Sequence, residues 1–368
     1  MENDRVAPYE GAKVDTSSGL KLPLRVVLIG ANREGRGGEL ADAIKQLPDL
    51  VNLVGVCDCN PDVLKTWTNL PAFSNVEDLL ASVKADAAVI ALPHSAYRLV
   101  RPVCLRYGLG LLHEKPLACS LSELLELQEQ LTNMPVPLVV GVQRRSHPTY
   151  RFLYDCLQRD RPHTVVIEIA LGRHIDDVVD PPESQNKHDT KSWRNNPAMA
   201  GGGALIDIGY HGIDLAHYLL DAPFQTLTCT QWRGDRPVYE NELESSATLV
   251  GRCGDVWVKI RVNRAGQKGE SVIAIGNSRW FADRKVVFCD NENKFECSES
   301  WDLATRARIV ELVETFQSPK RSINLWDHLA ELKVIEQART LARMQGNGVL
   351  LTNDGLPINS SSLHKTNE

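Results

Sequence analysis

Four side chains able to take or pass a proton recur in one stretch: Asp207, His211, Asp214 and Tyr218, within Gly201-Gly-Gly-Ala-Leu-Ile-Asp207-Ile-Gly-Tyr-His211-Gly-Ile-Asp214-Leu-Ala-His-Tyr218-Leu-Leu220. At a helical advance of about 100° per residue they fall within roughly 60° of one another. Leu205, Ile208, Leu215 and Leu219 then lie on the other side, where a core would take them. The outer face of an amphipathic helix is ordinarily rich in Lys and Glu. This one instead lines up an acid, an imidazole, a second acid and a phenol. Three glycines ahead of it let the backbone approach a ligand or take positive φ. On this stretch alone, an exposed polar face with a flexible entry remains the competing reading.

A cofactor signal lies near the start. The apolar run 24–29 leads into Gly30-Ala-Asn32-Arg33-Glu-Gly35-Arg36-Gly-Gly38, a helical stretch over 39–46, a second apolar run over 51–57, and Asp58. Strand, glycine turn, helix, strand and acid form the pattern of a dinucleotide site. Gly30 permits the tight turn, and the helix N-terminus offers free N–H groups to a pyrophosphate. Asp58 can accept from both adenosine ribose hydroxyls and repels a 2′-phosphate, which favours NAD over NADP. Arg33 and Arg36 argue mildly the other way. Asn32 stands where the second glycine belongs, with Gly35 as the third. Asparagine tolerates left-handed φ but adds bulk where the backbone should approach the phosphates.

Hydride chemistry next to such a cofactor needs a proton acceptor. Oxidising a secondary alcohol sends the hydride to nicotinamide while the hydroxyl proton leaves to a base. Lys115, in His113-Glu114-Lys115-Pro116 at a strand end, can polarise or deprotonate that oxygen, because burial and nearby charge pull its pKa down. A surface lysine in a β–α turn is the alternative. His211 titrates near neutrality and suits general acid/base work. Asp207, one helical turn earlier, would orient it or hold the substrate hydroxyl.

These groups need a frame, and the apolar pattern supplies one. Further buried strands are expected at 85–92, 109–112 and 138–142, alternating with helices over 76–82, 95–107 and 120–131. That is a parallel doubly wound sheet, with ligands at the carboxyl ends of its strands. Asn32, Asp58, Pro93, Lys115 and Gln143 all lie at such ends. A helix over 149–159 leads to runs at 164–172, 226–231, 246–250, 256–262, 271–275 and 285–288 without long intervening helices. They predict a mostly antiparallel sheet, and helical patterns return at 301–316 and 326–343. The fold class is therefore α/β plus α+β. A flexible leader over 1–22 precedes a Rossmann domain over 23–145. A substrate-binding and oligomerisation domain follows over 146–345, and then a C-terminal segment, 346–368, with a disordered tail.

Bulk properties agree. A chain of 368 residues exceeds the roughly 250–300 at which one core stops growing. A net charge of −6 argues against nucleic-acid binding. No apolar run approaches the ~18 residues that a membrane span needs. The leader, with Glu2, Asp4, Glu10 and Asp15, does not read as a signal peptide. Nine scattered cysteines without a CxxC or a His/Cys cluster imply no metal and reduced thiols in a cytoplasmic protein.

Together these pieces resemble the glucose–fructose oxidoreductase / inositol dehydrogenase / rhizopine-catabolism (Gfo/Idh/MocA) family over about residues 24–345. Glu114-Lys115-Pro116 matches its E-K-P, and Gly141-Val-Gln143-Arg-Arg145-Ser-His147-Pro148 its G-x-x-x-R-x-x-P. Ser192-Trp193-Arg194 followed by Gly201 to His211 matches its W-R … G-G-G-x-L-x-D-x-G-x-H. Pro93-His94-Ser95-Ala96-Tyr97 departs from the family's T-P-N-x-x-H at Leu92, His94 and Tyr97.

The resemblance implies an NAD-dependent sugar, amino-sugar or cyclitol oxidoreductase in which Lys115 and His211 divide the polarising and acid/base roles. It implies a cis bond before Pro116. Gly30, Asn32, Arg33, Gly35, Asp58, Pro93, Glu114, Lys115, Trp193 and Arg194 would contact the cofactor. Lys115, Gln143, Arg145, Trp193, Asp207 and His211 would contact substrate, although Arg145 fits a domain-interface ion pair equally well. Asp214 and Tyr218 would line the cleft or meet solvent, Tyr218 meeting solvent or a neighbouring element. The loop 175–191 would read the substrate. A homodimer or homotetramer would cover the open second sheet. A redox-assisted glycosidase and a non-catalytic dinucleotide-binding regulator are the alternatives.

Overall fold

The computed structural model describes residues 20–179, 193–239, 242–298, 301–317 and 325–343. Most of the leader, most of the loop 175–191 and the C-terminal tail lie outside the described residues. Two sheets organise what is described. The first contains β1 (Leu24–Ile29), β2 (Val51–Cys57), β3 (Ala72–Phe73), β4 (Ala87–Ile90), β5 (Gly110–His113) and β6 (Leu138–Val140) in the order β3-β2-β1-β4-β5-β6. All its pairings are parallel. β4, β5 and β6 are buried at every residue, which is why they read as unbroken apolar runs. Strand order reverses between β1 and β4. A ligand crevice therefore opens at the carboxyl ends of those two strands, between Gly30 and Pro93.

The second sheet contains β7 (Thr164–Arg173), β8 (Phe224–Arg233), β9 (Arg236–Pro237), β10 (Ser246–Cys253), β11 (Val256–Ala265), β12 (Gly269–Ile275), β13 (Arg279–Ala282), β14 (Val286–Cys289) and β15 (Glu292–Glu296). Its order is β15-β14-β13-β12-β7-β11-β10-β8-β9. Only β7 and β11 pair in parallel. Along β11, Val256, Val258, Ile260 and Val262 turn inward, while Trp257, Lys259, Arg261 and Asn263 face out. That period of two marks a sheet with one covered face. The helices Pro148–Arg159, Tyr210–Leu220 and Leu325–Arg343 provide the cover. β15, largely exposed and polar, escapes a reading based on apolar runs.

One assignment needs correction. The sequence places 301–316 with the second domain, yet the helix Asp302–Gln317 packs on the first sheet. Ile309, Leu312 and Val313 join Leu28, Ala43, Val89 and Val139 in one buried cluster. A Cβ on Gly110 would lie 2.5 Å from the Phe316 ring. The sheet has an apolar face there, and this helix returns along the chain to cover it.

Candidate active site

The cofactor crevice begins at Gly30, whose φ of +88° suits glycine alone and whose Cβ would meet the Ala91 carbonyl oxygen at 2.1 Å. The glycine that admits the following helix is Gly37. A Cβ there would stand 2.1 Å from the Gly30 oxygen, and one on Gly38 would stand 2.0 Å from the Arg33 oxygen. Gly35, taken from the motif spacing as the third glycine, has only ordinary contacts at 3.7 Å and beyond. The close approach is made at Gly37 and Gly38 and not at Gly35, which the spacing places third. Asn32 turns its Oδ1 back onto the Glu34 N–H at 3.1 Å, and its backbone carbonyl accepts from Gly38 at 2.9 Å. Its bulk is folded into the loop, and the cradle fits a dinucleotide. Asp58 accepts from the Ala31 N–H and the Asn60 N–H, each at 2.9 Å. Each of its oxygens keeps a second lone pair for a ribose hydroxyl. Arg33 lies over the Trp67 ring, 3.7 Å from its centroid.

Across the crevice stands Lys115, carried by the loop after β5. The Lys115–Pro116 bond is cis, as the family resemblance implies. The Lys115 Nζ donates to the backbone carbonyl of Asp207 at 2.6 Å and lies 3.6 Å from its Oδ1. Burial, opposed by Asp207 and aided by Arg194, lowers the Lys115 pKa. Asp207 is buried too, which by itself would raise its pKa. Arg194, 3.2 Å from Oδ2, and Lys115 outweigh that and hold it well below the usual carboxylate range. His211 is pushed far below the ordinary imidazole value by burial and by the charges of Arg144, Lys115, Arg284 and Arg36. It is therefore neutral near pH 7, and its buried Nδ1 has no hydrogen-bond partner among the described residues. A neutral imidazole beside an ammonium can accept a proton while the cation steadies the oxygen that loses it.

The even helical face drawn from the sequence does not survive. Residues Leu205–Gly209 form a π-helical turn before the Tyr210–Leu220 helix. Its wider turn breaks the 100° register. Leu205, Ile208, Leu215 and Leu219 are buried as expected. Asp214, however, is wholly buried, 2.6 Å from Arg145 Nε. Tyr218 stacks on Tyr154 at 4.8 Å.

Arg145, expected on substrate, is held by Asp214 and by Glu331 at 3.4 Å. This is the ion-pair alternative. Glu114 accepts from Arg36 at 2.6 Å and from the Gln143 Nε2 at 2.9 Å. Both Glu114 and Gln143 are buried, and Glu114 Oε1 joins Arg36 to Gln143. Trp193 packs edge-on against His94 at 4.8 Å, and Arg194 lies over the Trp193 ring.

His94, which departs from the family motif in the sequence, packs against Trp193. It is buried, its Nδ1 contacts the Ala200 carbonyl at 2.7 Å, and burial with the Lys115 charge lowers its pKa to about 3. The contact with a carbonyl requires the proton on Nδ1, so Nε2 carries a lone pair. Sequence reasoning missed the Arg144–Glu270–Arg284 cluster beside His211. Arg144 and Arg284 lie 2.6 and 2.7 Å from Glu270, and Tyr150 donates to it at 2.6 Å. Residues 126 positions apart leave no local sequence signal of such a pairing.

Known proteins share this fold. The model of the oxidoreductase family with an NAD-binding Rossmann fold matches residues 24–142, and that of the GFO/IDH/MocA C-terminal domain matches 173–283. Levoglucosan dehydrogenase of Pseudarthrobacter phenanthrenivorans is 24% identical over 63% of this chain and 60% of its own. D-glucoside 3-dehydrogenase of Escherichia coli is 24% identical over 55% of each chain. The chain thus spans about half to three-fifths of these two relatives. The same fold is seen in levoglucosan dehydrogenase solved with NADH and levoglucosan (TM-score 0.73, 14% identity, 89% of this chain and 99% of that one). It recurs in the WlbA dehydrogenase of Bordetella pertussis solved with NADH and UDP-GlcNAcA (TM-score 0.70, 20% identity, 91% and 99%). The chain belongs to the Gfo/Idh/MocA family of oxidoreductases, with the family's NAD-binding Rossmann unit at its N-terminal end.

Proposed function

We propose that this protein is an NAD-dependent dehydrogenase acting on a secondary hydroxyl of a sugar or cyclitol. The observation that supports this reading is the contact of Lys115, from the loop after β5, with Asp207, and the Lys115 charge acting on His211 four residues further on. NAD, when bound, takes or returns the hydride. Lys115 holds the substrate oxygen, and neutral His211 takes the hydroxyl proton on oxidation. Asp207 keeps Lys115 charged and in place, and Trp193 and Arg194 close the site from the second unit. Gly30, Gly37 and Asp58 hold the dinucleotide, the Asp58 carboxylate favouring NAD over NADP.

Growth of the NADH absorbance band with members of a sugar and cyclitol panel tests the reading. Released sugar without net NADH would point to the redox-assisted glycosidase instead. No helix among the described residues is long and apolar enough to cross a membrane; a cytoplasmic setting is part of the proposal. A second copy covering the outer face of the second sheet, where Trp232 and Trp257 are exposed, is the oligomer to look for by light scattering.

A further inference from the structure

Among the described residues, arginines gather on the second-unit side of the site in excess of the acids that face them. Arg173 ends β7, Arg264 lies one residue before the end of β11, and the register pairs Arg173 with Ala265. Arg194 arrives from a third segment. The Arg264 Nη2 donates to Asn195 Oδ1 at 2.8 Å, which ties it to the residue after Arg194. Arg264 is 1% exposed, and its Nε has no hydrogen-bond partner among the described residues. Among the described residues the central carboxylate is Asp207, already 3.6 Å from Lys115 and 3.2 Å from Arg194. Asp177 and Glu244 act from farther away. The Glu244 carboxylate is committed to the N–H groups of Gly203 and Leu205, at 3.2 and 2.8 Å. Burying guanidinium groups without matching anions is costly. Burial, with repulsion from the other arginines, also lowers the pKa of both Arg173 and Arg264. A nicotinamide cation would add to the surplus.

We propose that the substrate carries an anionic group, a carboxylate or a phosphate, received by Arg173, Arg194 and Arg264 beside the reacting hydroxyl. This names the substrate class within the dehydrogenase reading above and rests on it. Planar guanidinium groups suit either oxyanion through paired N–H donors. Half-buried Arg173 and Arg194 can approach the ligand, and buried Arg264 fixes the field behind them.

Titration calorimetry of the NADH-saturated protein with glucuronate, glucose 6-phosphate, inorganic phosphate and glucose reads the anion directly. At least one anionic sugar should bind about tenfold or more tightly than glucose, with affinity falling as salt rises. Arg173→Gln should remove about tenfold or more of that affinity and leave glucose unchanged. Binding of glucuronate alone identifies a carboxylate, and binding of the two phosphates alone identifies a phosphate. Anionic sugars binding no better than glucose, or an Arg173→Gln protein that binds them as before, overturns the proposal. Tight anion binding without NADH growth on any panel member would instead remove the dehydrogenase reading and leave the anion pocket standing. A neutral sugar oxidised without anion binding would remove the pocket alone.

Discussion

Lys115 makes its shortest contact with Asp207 through the backbone: Nζ lies 2.6 Å from the carbonyl oxygen and 3.6 Å from the carboxylate Oδ1. A neutral carbonyl anchors the ammonium without neutralising it, and the carboxylate beside it opposes the loss of charge that burial favours. The cation is thereby kept available to an oxygen in the crevice. Lys115→Ala should lower kcat by about 10²-fold or more. Affinity for NAD, measured by fluorescence or thermal shift, should stay nearly intact. Near-normal turnover would remove Lys115 from its role.

His211 stands among four cationic side chains and is neutral through the neutral range. Oxidation that uses it as a base should therefore hold its rate as pH falls from 7.5 through 6.5, where an ordinary imidazole would already be protonated. His211→Asn should cost about 10²-fold in kcat and change that profile. A steep acid limb centred on the ordinary imidazole value in the unaltered enzyme would contradict the assignment.

The two glycines of the turn separate cleanly. Gly37→Ala drives a methyl onto the Gly30 carbonyl and should destabilise the fold by about 1–3 kcal/mol, weakening NAD binding with it. Gly35→Ala meets only ordinary contacts and should leave the thermal shift produced by NAD almost unchanged. Equal sensitivity of the two would restore the spacing-based assignment.

Acid should unfold this protein early. His94 and His147 are lowered to about 3 and about 4, chiefly by burial, and His113 and His211 fall further. A histidine whose folded pKa is depressed binds its proton more readily when unfolded. Its stabilisation is complete above about pH 6.5 and is lost as pH falls toward the folded value. Asp214, raised by burial to about 7, works in the opposite direction, losing stability as pH rises from about 4 to 7, but it is one group against four. The melting temperature should drop by about 5 °C or more between pH 6.5 and 4.5. A flat profile in differential scanning calorimetry would refute the balance.

Asp58 has two duties, since its carboxylate also accepts the Ala31 N–H that shapes the glycine turn. Asp58→Ala should weaken NAD about tenfold and narrow the preference over NADP, as read by paired thermal-shift titrations.

Much of this was legible along the chain. The apolar runs at 24–29 and 51–57 coincide with β1 and β2, because strands buried on both faces cannot tolerate polar interruptions. Glu114-Lys115-Pro116 and the Gly201–His211 run marked the two sides of the site. What escaped has physical causes. Gly37 is set by how closely one helix approaches one carbonyl, a distance that spacing does not encode. The turn at Leu205–Gly209 widens the helix, so a wheel drawn at constant pitch misplaces Asp207 relative to His211, while Asp214 is buried by its pairing with Arg145. Arg145 met Asp214 and Glu331 only through packing between distant segments.

The sequence by itself determined the alternating parallel sheet, the covered second sheet and the cofactor turn, and it singled out Lys115 and His211 as candidates, because periodicity and turn chemistry are local properties. Tertiary structure alone decided that Asp302–Gln317 closes the first core, that His94 packs against Trp193 and that Arg173, Arg194 and Arg264 all act on Asp207. Burial and Coulomb interaction depend on separation in space, and only the folded chain sets it.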